Sequence, residues 1–171
     1  DWSVTGVQTC ALPISVWIAG GLAADSRVYD TTVSATLSSN AVVLVGVIAA
    51  DAAAVRLSTN GYTAWFDTAE VGNGKAVTVS GLTLAGTGAG NYELEQPSLS
   101  ADVVPATAVR LVFAVQPGGA VAGAALTQVP VVRCQDAYGH DSVLGLPEHL
   151  EVRLTLASGD GVLLGTPLVD I

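Results

Sequence analysis

Gly72-Asn73-Gly74-Lys75-Ala76-Val77-Thr78-Val79-Ser80-Gly81-Leu82-Thr83-Leu84 carries both the period of a β-strand and its interruption. Val77 and Val79 alternate with Thr78 and Ser80. That period of two sends one row of side chains to a core and the other to water. Leu82 and Leu84 resume the alternation with opposite parity. The slip at Ser80-Gly81 predicts a bulge or tight bend, not one straight strand. Gly72-Asn73-Gly74 reads as a turn. Upstream, Asn60-Gly61 is a strong hairpin signal, because a type I′ turn needs positive φ at both central residues. It is expected to separate a strand at 55–59 from one at 62–67.

Further outward the pattern stays strand-like. Val33, Ala35 and Leu37 alternate with polar residues. Val42–Ile48 is a continuous apolar run, the signature of a strand buried on both faces. Ala49–Val55 suits one helical turn but is too short for a stable helix. Residues 15–24 read as a linker or the end of a preceding module. Downstream, 86–90 is a loop and Tyr92–Leu94 opens a strand. Val103-Val104-Pro105-Ala106-Thr107 reads as a boundary, since proline lacks a ladder donor and restrains the residue before it. A second block follows. Val109, Leu111, Phe113 and Val115 share one face, and Pro117-Gly118-Gly119 turns the chain. Residues 129–135 form a further strand, and 136–141 a polar turn around Gly139. Leu150, Val152, Leu154 and Leu156 then alternate cleanly. The expectation is an all-β chain: a leader at 1–24, then two tandem β-rich modules at 25–104 and 105–171.

Composition narrows the function. Half of the 171 residues are hydrophobic, 12% are charged, and the net charge is −9. This is not the composition that keeps a chain disordered. Nucleic-acid backbones and anionic membranes demand basic patches, which six Lys plus Arg do not supply. The apolar run at 41–50 ends at Asp51, short of the roughly 18 residues needed to span a bilayer. Neither nucleic-acid binding nor membrane insertion is therefore expected. The chain holds no methionine and reads as a fragment. Its segment 4–14, VTGVQTCALPI, resembles the in-frame translation of a constant adapter used in short-read DNA libraries, and is read as a sequencing artefact. Cys10 belongs to that segment. Cys134 sits in an apolar run and reads as a small core residue, with a Cys10–Cys134 disulfide as the alternative.

Four motifs occur in order across 25–104: Arg27-Val28-Tyr29-Asp30-Thr31-Thr32, Gly72-Asn73-Gly74-Lys75-Ala76-Val77-Thr78-Val79, Gly81-Leu82-Thr83-Leu84, and Ala89-Gly90-Asn91-Tyr92-Glu93-Leu94. Together they resemble the YDG repeat module of large bacterial surface and secreted proteins, including filamentous-haemagglutinin-like adhesins. The resemblance implies a β-sandwich or β-grasp-like module with Tyr29, Asp30, Gly72, Gly74, Gly90, Asn91 and Tyr92 as structural residues. One departure stands out. The family pattern has Gly after Tyr-Asp, whereas Thr31 follows Asp30 here, which reads as a one-residue deletion that distorts or trims the turn. The second block is similar to the N-terminal part of a bacterial immunoglobulin-like repeat, through Leu111-Val112-Phe113, Gln116-Pro117-Gly118-Gly119, Gly123, Val131-Val132 and Gln135-Asp136-Ala137-Tyr138-Gly139. Such sandwiches use about seven strands. About four fit before Ile171, so an incomplete Ig-like sandwich with an exposed half-core is expected.

No catalytic constellation emerges. His140 and His149 lack zinc spacing, and no Ser lies in a Gly-x-Ser-x-Gly elbow. The 86–90 loop lacks the Lys and the helix of a phosphate cradle. Asp136, His140 and Asp141 offer thin support for calcium and read as a solvated turn. Glu93 and Glu95 read as solvent-facing strand positions, since a glycosidase pair spans a cleft from separate elements. Tyr62 and Trp65 are the ligand-binding candidates. Read as sharing one face, they suit a pair packed in a small core or, alternatively, a sugar-stacking platform. No catalytic residue, metal or cofactor is expected. The resemblance implies a non-enzymatic stalk or repeat segment of a secreted or cell-surface bacterial adhesin-like protein. Its partners would be neighbouring repeats of the same chain, and a surface glycan or host protein bound through parts outside this sequence. The alternatives are a carbohydrate- or protein-binding module and an accessory region of a secreted enzyme.

Overall fold

A computed structural model describes residues 12–165 and the backbone of 168–170. Residues 1–11, with Cys10 and most of the adapter-like segment, lie outside the described residues, and so does any Cys10–Cys134 pairing. The chain divides into two units between Val104 and Pro105. Both are built of strands, and the one helical element among the described residues is a 3-10 turn at Ala89–Asn91.

Among the described residues the first unit holds nine strands: β1 Ile14–Ala24, β2 Arg27–Val28, β3 Leu37–Val45, β4 Arg56–Ser58, β5 Thr63–Phe66, β6 Gly72–Ser80, β7 Thr83–Ala85, β8 Tyr92–Leu94 and β9 Ser98–Val104. They form a three-stranded sheet β3-β1-β8, a four-stranded sheet β2-β9-β6-β5 and a two-stranded ladder β4-β7. Most pairs are antiparallel. The exceptions join the two ends of the unit: β1 runs parallel to β8, and β2 parallel to β9.

Alternation produces the core. Val77 and Val79 of β6, Ala101 and Val103 of β9, and Phe66 of β5 are buried on one face of the four-stranded sheet. Ile18 and Leu22 of β1, with Leu37 of β3, pack against them from the three-stranded sheet. Sheet therefore packs on sheet, and no α-helix covers either one among the described residues. A smaller cluster of Val16, Val55 and Tyr92 lies beside the β4-β7 ladder, with Leu84 packed against it. Each buried aliphatic or aromatic side chain contributes about 1.5–3 kcal/mol relative to exposure.

Several sequence expectations change here. Residues 15–24 are no linker: they form nearly all of β1, which pairs with β3 and buries Val16 completely. Ile14, inside the adapter-like segment, opens that strand opposite Tyr92. Val42–Ile48 is not buried on both faces. β3 is an edge strand, and Val43 and Ile48 stay exposed. Asn60-Gly61 turns the chain, with Gly61 at φ 76°, but the flanking strands do not pair. β4 joins β7 while β5 joins β6. The turn chemistry fixes a local reversal, while the partners lie further along the chain, with Leu57 opposite Leu84 and Phe66 opposite Val77. Gly72-Asn73-Gly74 is a bulge at the start of β6, where the register with β9 shifts between Gly72 and Lys75. Gly74 takes φ 60°, and its N–H donates to Asp102 Oδ1 at 2.6 Å. The slip at Ser80-Gly81 is a strand break, with Gly81 at φ 80° between β6 and β7. Ala49–Val55 makes a single turn, closed by the Val55 N–H on the Asp51 carbonyl.

The second unit contains β10 Arg110–Val115 paired antiparallel with β11 Val131–Gln135, and β12 Glu151–Arg153 paired with β13 Leu168–Asp170. Only Glu151–Arg153 of the alternating run at 150–156 is strand. A bulge between Phe113 and Val115 breaks the face expected of β10, and Leu111 and Phe113 are exposed. Cys134, Asp136 and Ser142 are the buried side chains of this unit among the described residues.

Candidate functional site

The Tyr-Asp motif folds into a turn organised by one cation. Arg27 ion-pairs with Asp30 Oδ1 at 2.6 Å. It also donates to the Thr32 hydroxyl at 2.7 Å and the Ser34 carbonyl at 2.9 Å. Its guanidinium lies 5.5 Å from the centre of the Phe66 ring, a cation–π distance. The Thr32 hydroxyl and N–H both donate to Asp30, and together with Arg27 they hold its carboxyl below the usual carboxylate range. Thr31 has φ 71°, a left-handed conformation that favours glycine. These bonds close the turn, with Thr31 at its strained position. Tyr29 packs against the main core, and its N–H donates to the Val104 carbonyl at 2.8 Å.

Tyr92 is a buried pin. Its hydroxyl accepts the Ile48 N–H at 3.2 Å and donates to Asp51 at 2.7 Å. The bond to Asp51, then burial, raises its pKa above the ordinary value. Gly90 has an ordinary φ and open space where a Cβ would stand. Asn91 is exposed, and its N–H closes the 3-10 turn on the Gly88 carbonyl. Gln96, which the sequence reading passed over, clamps the strand break: its amide accepts the Leu82 N–H at 3.1 Å and donates to the Leu82 carbonyl at 2.9 Å.

Tyr62 and Trp65 are not one face. They lie three residues apart, and alternation sends them to opposite sides. Tyr62 packs against the core, its hydroxyl accepting the Leu37 N–H at 3.1 Å. Trp65 points outward, 39% exposed. It stands opposite Thr78, which stands opposite Ser98. A second exposed indole is Trp17 on β1. Glu93 and Glu95 are exposed, and Glu95 accepts the Ser15 hydroxyl at 2.5 Å.

In the second unit Asp136 is fully buried. Its carboxylate accepts the N–H groups of Ala106, Tyr138 and His140 at 2.9–3.0 Å, and meets His140 Nδ1 at 3.0 Å. Burial alone would raise its pKa. The hydrogen bonds outweigh burial and hold it far below the ordinary value. Asp141 pairs instead with Arg133 and Gln135. The two carboxylates thus serve separate donor sets, and no group of metal-ligating side chains assembles among the described residues. Asp136 is thus buried as a backbone-binding carboxylate, while Ala137, Tyr138 and Asp141 of the same turn stay exposed.

No curated protein and no solved structure matches this chain. One family does: the YDG domain, over residues 13–100, or 88 of the 171. The match takes in β1, which the structure likewise builds into the sheet. It also spans the Tyr-Asp turn, the Gly72–Gly74 bulge and the Tyr92 pin. The chain belongs to the YDG domain family.

Proposed function

We propose that this chain is a non-enzymatic repeat segment of a large secreted or cell-surface bacterial protein of the adhesin type, in which it serves as a stalk. The observation that carries the reading is that the strands at both ends of the unit are held in parallel pairs, β1 with β8 and β9 with β2. The chain enters through β1 and leaves through β9, while β1 lies parallel to β8 and β2 parallel to β9. Tension applied along the chain slides such strands past each other. Their hydrogen bonds are loaded together, not opened one at a time. A spacer in an extracellular array needs that resistance, and it needs each module to bury its own core. In this reading the partners are neighbouring repeats. Further contacts with a glycan or host protein would be met by parts outside this sequence. The second unit is read as an incomplete Ig-like module, supported by the antiparallel β10-β11 pair formed by its motif residues.

Single-molecule force spectroscopy tests the stalk role. Pulled from its two ends, the first unit should open in one event of about 300 Å, the contour of roughly 90 residues. Handles at Ala76 and Ser100, opposed on antiparallel β6 and β9, should open it at clearly lower force. Equal forces in the two geometries would remove the mechanical argument.

A further inference from the structure

The outer face of the four-stranded sheet presents Thr63 and Trp65 on β5, Thr78 and Ser80 on β6, and Ser98 and Ser100 on β9, all exposed. Register makes them neighbours. Trp65, Thr78 and Ser98 form one cross-strand row, and Thr63 faces Ser80 beside it. Strands lie about 4.8 Å apart, so the face is a continuous polar platform with the indole at its edge strand.

We propose that this face binds a neutral polysaccharide, with Trp65 as the stacking ring and the flanking hydroxyls as hydrogen-bonding groups. Three observations point there. None of the six residues is ionisable, although the chain carries a net charge of −9; the face therefore matches an uncharged ligand. Asp102, further along β9, turns its carboxylate to the Gly74 N–H. The Trp65 indole N–H and all five hydroxyls have no hydrogen-bond partner among the described residues. Lastly, a sugar ring has apolar C–H faces and a rim of hydroxyls. An exposed indole beside free hydroxyls complements both, because indole offers apolar area with one polar handle.

Native affinity electrophoresis of the full chain tests this, in gels containing hydroxyethylcellulose, galactomannan or dextran, with alginate as the charged comparison. Retardation is expected in at least one neutral gel and not in alginate. Trp65→Ala should weaken it at least tenfold, Trp65→Phe should keep part of it, and Trp17→Ala should leave it unchanged. Should Trp65→Ala fail to fold, Ser98→Glu at a solvent-facing position carries the test and should abolish retardation. Migration unaffected by all three neutral polymers would overturn the proposal. So would retardation that survives both Trp65→Ala and Ser98→Glu. Self-association in sedimentation that Trp65→Ala removes would also overturn it, by assigning the face to a second copy. The inference is independent of the stalk reading, since force resistance and retardation are separate readouts and either can fail alone.

Discussion

The Tyr92 hydroxyl reaches across 41 residues to donate to Asp51 Oδ2 at 2.7 Å, and the Tyr92 hydroxyl oxygen accepts the Ile48 N–H. The turn after β3 is thereby tied to the start of β8. Tyr92→Phe keeps the ring in its cluster and deletes both bonds. A lower urea midpoint with an unchanged m-value is expected. The bond needs the protonated phenol, and the folded pKa lies above the ordinary 10.0. A group with a raised folded pKa contributes fully below its unfolded pKa and loses that contribution as pH rises through the folded one. The gap between wild type and Tyr92→Phe should therefore be constant from neutral pH to about 9 and close above 10. A gap independent of pH through 11 would contradict this.

Thr31 is the next test. A β-branched residue at φ 71° costs about 1–2 kcal/mol in the left-handed region. Glycine removes that strain but adds about 0.4–1 kcal/mol of unfolded-state entropy. Thr31→Gly should therefore stabilise the first unit by roughly 0.5–1 kcal/mol, read by chemical denaturation. Destabilisation would mean that the Thr31 side chain supports the turn in a way its geometry does not indicate.

Gly86 makes the opposite prediction. It has φ 111°, and a Cβ there would stand 1.7 Å from the Ala54 carbonyl oxygen. The obstacle is backbone, so it cannot swing aside. Gly86→Ala should cost more than about 2 kcal/mol, through left-handed strain plus displacement of the turn that precedes β4. Gly90→Ala, four residues on with open space and an ordinary φ, should change stability by less than about 0.5 kcal/mol. Equal effects at the two sites would refute this account of the loop.

These positions show what the sequence made legible. Val77 and Val79 announce their buried face, because alternation is local. The Asn60-Gly61 turn is equally readable, but its flanking strands pair elsewhere, and no local signal says so. Gly74 could serve a turn or a bulge, since both require positive φ. β1 escaped for another reason. Gly20-Gly21 interrupts its apolar row, and its partners include Tyr92, far along the chain. The opposite facing of Tyr62 and Trp65 was available from their odd spacing alone. Gln96 gave no signal, because one amide among polar neighbours does not reveal the backbone pair it will meet.

The buried carboxylate of the second unit yields the last prediction. Asp136 gathers the N–H groups of Ala106, Tyr138 and His140 and so joins the start of the unit to its loop. Its folded pKa lies far below the ordinary value, with the hydrogen bonds overcoming burial. A depressed folded pKa gives stability that is present above the unfolded value near 3.9 and is lost as pH falls towards the folded one. The second unit should hold its stability from pH 7 to about 4 and lose it steadily in stronger acid. Asp136→Asn keeps the shape but exchanges one accepting oxygen for a donor that faces N–H groups. It should destabilise the unit at pH 7, flatten the acid dependence, and speed amide exchange at Ala106, Tyr138 and His140 by tenfold or more. Exchange at Val77 and Val79, in the other unit, serves as the internal reference and should not change. Unaltered exchange at the three amides would show that the carboxylate is not what holds this loop.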